Sequence, residues 1–329
     1  MKNNASLKEI GDILENARSV VIFPHINIDG DALGSAVALC IAMRKEGKEA
    51  WVLMEEEIPH YIDFLDSSCC TCDGDCVKEP DVCICVDCSE EKRFKGRAAV
   101  YRRGKTKLCI DHHATGEGFG DYYYIDSGEA ATAQLIYKLF MEMNWDIGKI
   151  EAVHLYVGIV TDTGCFQYSN TTAETHRIAA ELFSAGIPHM DVMVRLYQNV
   201  SRRRVSIQSE ILKTMEFFAD GRLAMAYVTE DMLKKVSADI DDTEGVIDTL
   251  RNIEGVEFAA FLKEKDGFIK VSLRAKSYGN VAGVAVKFGG GGHMKAAGCT
   301  IDAPMEKAVD MLKSEMLKSL EENNNGETL

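Results

Sequence analysis

The chain has 329 residues, 46% of them hydrophobic and 27% charged, and a formal net charge of -15. That length exceeds what one core usually organises, so two domains of ordinary globular composition are expected. The acidic balance excludes a broad basic surface for tracking long nucleic acid, whose affinity comes from neutralising many phosphates.

In chain order, Ser19 to Pro24 reads as a strand and Ala32 to Glu46 as the helix after it, ended by Gly47. Lys48 to Met54 is a second strand, and Asp81 to Asp87, Arg97 to Val100 and Lys107 to Asp111 follow as strands. Glu129 to Met143, Ile150 to Val160 and Thr172 to Ala185 read as helices, the last stopped by Gly186 and Pro188. Short apolar strands alternating with amphipathic helices predict an α/β fold, a doubly wound and mainly parallel sheet covered on both faces, over residues 1–189. Residues 190–204 are the expected linker. Residues 205–329 read as a smaller α+β domain, with a cleft between the two. Its expected helices are Val205 to Phe218 and Val246 to Arg251; its strands are Arg222 to Val228, Val256 to Glu264, Gly267 to Lys276 and Gly298 to Ile301. The polar tail from Glu321 to Gly326 is the one segment with a disordered composition.

Lys2, Asn3 and Asn4 do not open a signal peptide, and no apolar run approaches the length needed to span a bilayer. A cytoplasmic protein without membrane contact is expected. Its 11 cysteines are an odd number without an export signal, so reduced thiols are the default. Cys69, Cys70, Cys72 and Cys76 lack a tight zinc spacing, and Cys85 and Cys88 read as core and near-site thiols.

Four acid-rich sites carry the chemistry. They are His25-Ile26-Asn27-Ile28-Asp29-Gly30-Asp31, Asp87 after an apolar strand, Asp111-His112-His113, and Asp162 in Thr161-Asp162-Thr163-Gly164. Three of them stand at strand ends, where ligands collect in open parallel sheets. Carboxylates and imidazoles gathered so densely would repel and titrate one another unless cations held them. Taken alone, Asp31 would be a helix cap, a His-His pair a surface feature and Asp162 a turn residue. Their convergence favours a metal centre. His60, His154, His176 and His189 fall outside it, and His154 reads as a hydrogen-bonded core imidazole.

Farther on, the run Gly289 to Gly292 before His293 lets backbone N–H groups approach a phosphate and is expected to open a helix through Met294 to Ala297. Gly290, Gly291, Gly292 and His293 are therefore candidate substrate contacts. A short nucleic-acid substrate would meet local cations such as Arg202, Arg203, Arg204, Arg274, Lys276, Lys287 and Lys295.

The four motifs, in this order, resemble those of the DHH phosphoesterase superfamily, named for the Asp-His-His triplet, and Phe288 to Gly298 resembles its DHH-associated domain. Within the superfamily, length and domain pairing are most similar to the bifunctional oligoribonuclease and 3'-phosphoadenosine 5'-phosphate (pAp) phosphatase family. The resemblance implies two divalent ions, Mn2+ first, with Mg2+ or Co2+ as alternatives. His25, Asp29 and Asp87 would hold one, and Asp31, Asp87, His112 and Asp162 the other, with Asp87 bridging. Two such ions lower the pKa of a water and clamp phosphate oxygens during in-line attack. His113 would face the phosphate, Asp111 would orient a ligand, and Arg274 resembles the family's substrate-binding arginine.

The expected activity is hydrolysis of short RNA oligonucleotides to mononucleotides and of pAp to AMP. The alternatives are a phosphodiesterase of cyclic or linear dinucleotides and, from another class, a nucleotide-binding regulator with structural metals. Inorganic pyrophosphatases lack such a glycine-histidine motif, and an exonuclease on long single-stranded DNA would need further binding domains. A homodimer is expected by resemblance alone.

Overall fold

A computed structural model describes residues 3–88, 93, 96–113 and 118–324. The chain divides into two compact units, Met1–Asn199 and Val200–Leu329. The first runs through α1 (Leu7–Asn16), β1 (Ser19–Phe23), α2 (Gly30–Lys45), β2 (Glu49–Leu53), β3 (Cys70–Thr71), β4 (Val82–Val86), α3 (Ala98–Tyr101), β5 (Thr106–Asp111) and β6 (Tyr122–Ile125). It closes with α4 (Thr132–Met143), α5 (Lys149–Asp162), α6 (Ala173–Ser184) and α7 (His189–Tyr197).

Its strands form one sheet in the order β3-β2-β1-β4-β5-β6, and every pairing is parallel. Val20 and Ile22 of β1 pack in the large core with Leu33, Leu135 and Leu155 of α2, α4 and α5. Val21 and Phe23 pack into a different cluster with Leu53, Cys85 and Tyr101. Both faces of β1 are thus buried, which is why it reads as an unbroken apolar run. The chain moves outward from β1 through β2 to β3, then returns to place β4 against the other side of β1. The winding therefore reverses between β1 and β4, and the crevice beyond their carboxyl ends is where such sheets bind ligands.

Helices α2 and α5 approach closely because both carry glycine at the contact. A Cβ built on Gly34 would lie 2.3 Å from the His154 carbonyl oxygen, and one on Gly158 would lie 2.8 Å from Ala133 Cβ and 2.8 Å from Asp31 Oδ1. His154 is a satisfied core imidazole, with ring nitrogens 2.8 Å from Ile150 O and 3.0 Å from Asp66 O.

The second unit contains α8 (Arg202–Leu212), β7 (Glu216–Phe218), β8 (Leu223–Val228), α9 (Glu230–Val236), α10 (Val246–Asn252), β9 (Phe258–Lys265), β10 (Phe268–Ala275), α11 (Val281–Lys287), β11 (Gly291–His293), β12 (Ala296–Ile301) and α12 (Met305–Asn324). Its sheet order is β11-β12-β10-β9-β8-β7, antiparallel except for the parallel pair β8 and β9.

Several local expectations are corrected. Arg97 to Val100 is not a strand: Ala98 to Tyr101 are helical, and Arg97 is drawn inward, its guanidinium donating to the carbonyls of Leu53 and Pro24 and to Glu55. The linker expected over 190–204 is not among these: the division between the units at Asn199 falls within it, between the end of α7 at Tyr197 and the start of α8 at Arg202. The helix expected over Val205 to Phe218 ends at Leu212, and Glu216 to Phe218 instead pair with β8. No helix spans Met294 to Ala297, because His293 and Ala296 are paired across a tight turn between β11 and β12. Glu321 to Asn324 of the polar tail belong to α12, and residues 325 onward lie outside the described residues. Among the described residues, no helix is long and apolar enough to cross a membrane, and all 11 cysteines are free thiols.

Candidate metal centre

The centre grows out of the ends of β1, β4 and β5 and the facing ends of three helices. After β1, Asn27 adopts a left-handed φ of 54° and turns the chain toward α2. Ile28 N–H donates to Glu56 Oε1 at 2.9 Å, fixing this loop. Asp29, rather than Asp31, is the cap of α2: its Oδ1 accepts from the amides of Asp31 and Ala32 at 3.1 and 3.0 Å. Its Oδ2 is left 3.5 Å from His25 Nε2. His25 is fixed in turn by Nδ1, which donates to the Ile26 carbonyl at 2.6 Å and so directs Nε2 toward the carboxylates.

Asp87 follows β4 with a left-handed φ of 56° and is 1% exposed. That turn ends the strand and swings the carboxylate into the crevice, 3.2 Å from His25 Nε2 and 3.6 Å from His112 Nε2. At the end of β5, Asp111 is fully buried; its Oδ1 accepts from His113 Nδ1 at 2.7 Å and from His113 N–H at 3.1 Å. His112 directs Nδ1 to the Glu129 carbonyl at 3.2 Å, and its Nε2 lies 3.2 Å from Asp162 Oδ2 and 3.9 Å from Asp31 Oδ2. Asp162 is the last residue of α5.

Three overlapping groups result: His25, Asp29 and Asp87; Asp31, His112 and Asp162; and Asp87, His112 and His113. Within each, one atom per residue lies within 4.8 Å of the others. Asp87 and His112 each take part in two groups. Asp111 stands behind His113 and belongs to none of them. The remaining candidates, Arg274, Gly290, Gly291, Gly292 and His293, belong to the second unit.

The electrostatics are those of crowded acids. Burial, then the charges of Asp87 and Asp162, raise the Asp31 carboxyl well above the usual range. Burial pushes Asp162 up to about 7, with His112 pulling against it. Burial opposes ionisation of Asp87 too, yet the hydrogen bond and charge of His25 hold it well below that range. Burial would depress both histidine rings, but the surrounding carboxylates raise His25 to about 10 and His112 to about 9. Among the described residues, every ion pair of these carboxylates is with histidine. Four hard carboxylates and borderline imidazole nitrogens, with no lysine or arginine paired to those acids among the described residues, fit divalent cations.

Sequence reasoning missed the residues that hold the candidate ligands. Ser35 Oγ donates to Asp31 Oδ1 at 3.1 Å, one helical turn after it. Asn170 Nδ2 donates to the carbonyls of Ala130 and Asp162 at 3.0 and 3.1 Å, tying the end of α5 to the approach to α4. Thr132 bonds both Asp31 and Asp87, and a Cβ added at Gly158 would meet Asp31 Oδ1. The available signal was the absence of a capping residue before α4, where Ala130 and Ala131 precede Thr132.

Residues 19–159 match the family model described as the DHH family, N-terminal domain, and residues 220–322 match the DHHA1 domain. A protein from Thermus thermophilus named bifunctional oligoribonuclease and PAP phosphatase NrnA is 32% identical over 307 residues, 91% of this chain and 91% of that one. The chain belongs to the DHH phosphoesterase family. It is accordingly a hydrolase acting on phosphate esters. A relative of the same name from Bacillus subtilis is 27% identical over 286 residues, 86% of this chain and 89% of that one. Within the DHH fold, the crystal structure of an exopolyphosphatase-related protein from Bacteroides fragilis superposes with a TM-score of 0.90 at 28% identity, covering 95% of both chains.

In the second unit, the glycine run serves sheet pairing. A Cβ on Gly290 would lie 2.2 Å from the Gly298 carbonyl oxygen; Gly292, at φ 144°, would place one 2.5 Å from the Ala296 oxygen. His293 is exposed at the end of β11. Arg274 on β10 is partly exposed, with Nε 3.9 Å from Asp248 Oδ1. Several other expected cations are engaged internally: Lys287 with Glu315, Lys276 with the Ile253 carbonyl, and Lys295 with the carbonyls of Ser277 and Gly279.

Proposed function

We propose that this chain is a two-metal phosphoesterase that hydrolyses short RNA oligonucleotides to mononucleotides and pAp to AMP. The observation that carries the reaction class is the shared position of Asp87, whose carboxylate belongs to two ligand groups at the sheet's switch point. Substrate choice rests on the names of the relatives that align over most of the chain. His25, Asp29 and Asp87 would hold one divalent ion, and Asp31, Asp87, His112 and Asp162 the other, with Mn2+ the first choice. Bound there, such ions supply charge against the phosphate oxygens and acidify a water.

The protein's own groups then do the positioning. The Nδ1 of His113 is committed to Asp111, so Nε2 is the atom left to meet a phosphate oxygen or the leaving oxygen. The ring's affinity for a proton is raised despite burial, through that hydrogen bond and the charge of Asp87. For pAp, the water oxygen forms a bond to phosphorus, the P–O3' bond breaks, and the 3' oxygen takes a proton, giving AMP and inorganic phosphate.

The test is Mn2+-dependent hydrolysis compared across pAp, a short RNA, a long single-stranded DNA, a cyclic dinucleotide and pyrophosphate. pAp and the short RNA are expected to turn over fastest. Preference for the long strand, the cyclic dinucleotide or pyrophosphate contradicts the substrate assignment.

Substrate binding is assigned to Arg274, the backbone of Gly290 to Gly292, and His293. A guanidinium makes bidentate, charge-assisted contacts to phosphate worth about 1.5–3 kcal/mol. Arg274→Ala is therefore expected to raise KM for a short RNA about 10- to 100-fold while leaving bound metal unchanged. Loss of metal from this variant would show the assignment to be wrong.

A further inference from the structure

Helix α4 begins without a side-chain cap of its own, since Ala131 occupies the cap position. Its first amides are capped instead from a remote part of the sequence by Asp31. Thr132 N–H donates to Asp31 Oδ2 at 2.6 Å, and Ala133 N–H donates to Oδ1 at 2.9 Å. The Thr132 hydroxyl donates to Asp87 Oδ1 at 2.8 Å. A single residue therefore grips both carboxylates, one through its backbone and the other through its side chain. Thr132 is fully buried, and Asp31 and Asp87 are each 1% exposed.

We infer that Thr132 is a positioning residue that sets the spacing and orientation of Asp31 and Asp87 for a divalent cation. The inference rests on the metal-centre reading above and extends it to a residue outside the four motifs. Two adjacent buried carboxylates repel, and without donors they would splay or take up protons. The amides and positive end of α4 stabilise Asp31 without adding a competing cation. With Thr132 on Oδ1 of Asp87, Oδ2 is left facing His25 at 3.2 Å. A β-branched side chain has few rotamers in a helix, so this donor is held in place before any ion arrives.

Packing and hydrogen bonding predict opposite rankings for two substitutions. Thr132→Val keeps the shape and removes the donor, whereas Thr132→Ser keeps the donor and removes a methyl group. Mn2+ binding to the full chain is followed by the electron paramagnetic resonance signal of the free ion, with thermal melting of the metal-free protein as the folding control. Thr132→Val is expected to weaken Mn2+ binding about 10- to 100-fold, and Thr132→Ser to recover most of the affinity. Wild-type affinity in the valine variant, or a serine variant weaker than valine, overturns the inference. Should the valine variant fail to fold, Thr132→Ala replaces it, and equal weakening by alanine and serine overturns the inference. A wild-type chain that binds no Mn2+ overturns the metal-centre reading itself; wild-type binding left intact by Thr132→Val overturns only the role of Thr132.

Discussion

Asp87→Asn is expected to lower phosphoester turnover by about 10^3-fold, because losing several kcal/mol of transition-state charge stabilisation costs tenfold for each 1.36 kcal/mol. Asparagine is the informative replacement. Position 87 has a φ of 56°, a region asparagine tolerates as well as aspartate, so the backbone is not strained by the change. The amide oxygen can still accept from Thr132, while the negative charge shared between two ligand groups is gone. Metal-free Asp87→Asn should therefore fold, since the repulsion felt by Asp31 is also relieved. Added Mn2+ should raise the melting temperature of wild type and leave the variant unchanged. Phosphate release and melting curves with and without Mn2+ check both parts; a variant with wild-type turnover removes Asp87 from the centre.

The second large effect is expected at Gly158→Ala, which no ligand motif would single out. The new methyl would lie 2.8 Å from both Asp31 Oδ1 and Ala133 Cβ. Neither neighbour yields easily: Asp31 is bonded by the amides of Thr132 and Ala133 and by Ser35, and Ala133 lies in the first turn of α4. Overpacking of this kind costs about 1–3 kcal/mol, which corresponds to a fall in melting temperature of roughly 2–4 °C per kcal/mol in a domain of this size. Turnover should fall by more than the loss of folded protein explains, because Asp31 is the atom group displaced. Gly283→Ala is the control, since its Cβ would meet only Asn280 at 3.9 Å. A Gly158→Ala protein with wild-type melting and turnover would mean that this contact does not position Asp31.

Much of the first unit was legible because its signals are local. A strand buried on both faces must read as an apolar run, so β1 and β4 announced themselves, and the acids after them marked the rim. The supports were hidden because they act across long stretches of sequence. Thr132 meets Asp31 across 101 residues, and Gly158 derives its meaning from helix packing. Arg97 misled because its short apolar neighbourhood has strand-like hydropathy, whereas the guanidinium's buried hydrogen bonds decide the local path. The helix expected after the glycine run failed for a related reason: glycine permits close strand pairing as readily as a helix start, and Gly290 lies against the backbone of β12. Asp29 and Asp31 were read as one cluster, yet only geometry separates the cap of α2 from the acid that caps α4.

Inorganic phosphate released from pAp by the full chain, first stripped by chelator and then resupplied with Mn2+, tests the two-metal hydrolase most directly. Stripped protein is expected to be inactive, Mn2+ to restore AMP and phosphate formation, and Asp87→Asn to remain inactive under both conditions. Phosphate release that survives chelation, or an absence of turnover of both pAp and short RNA at every Mn2+ concentration, would contradict it.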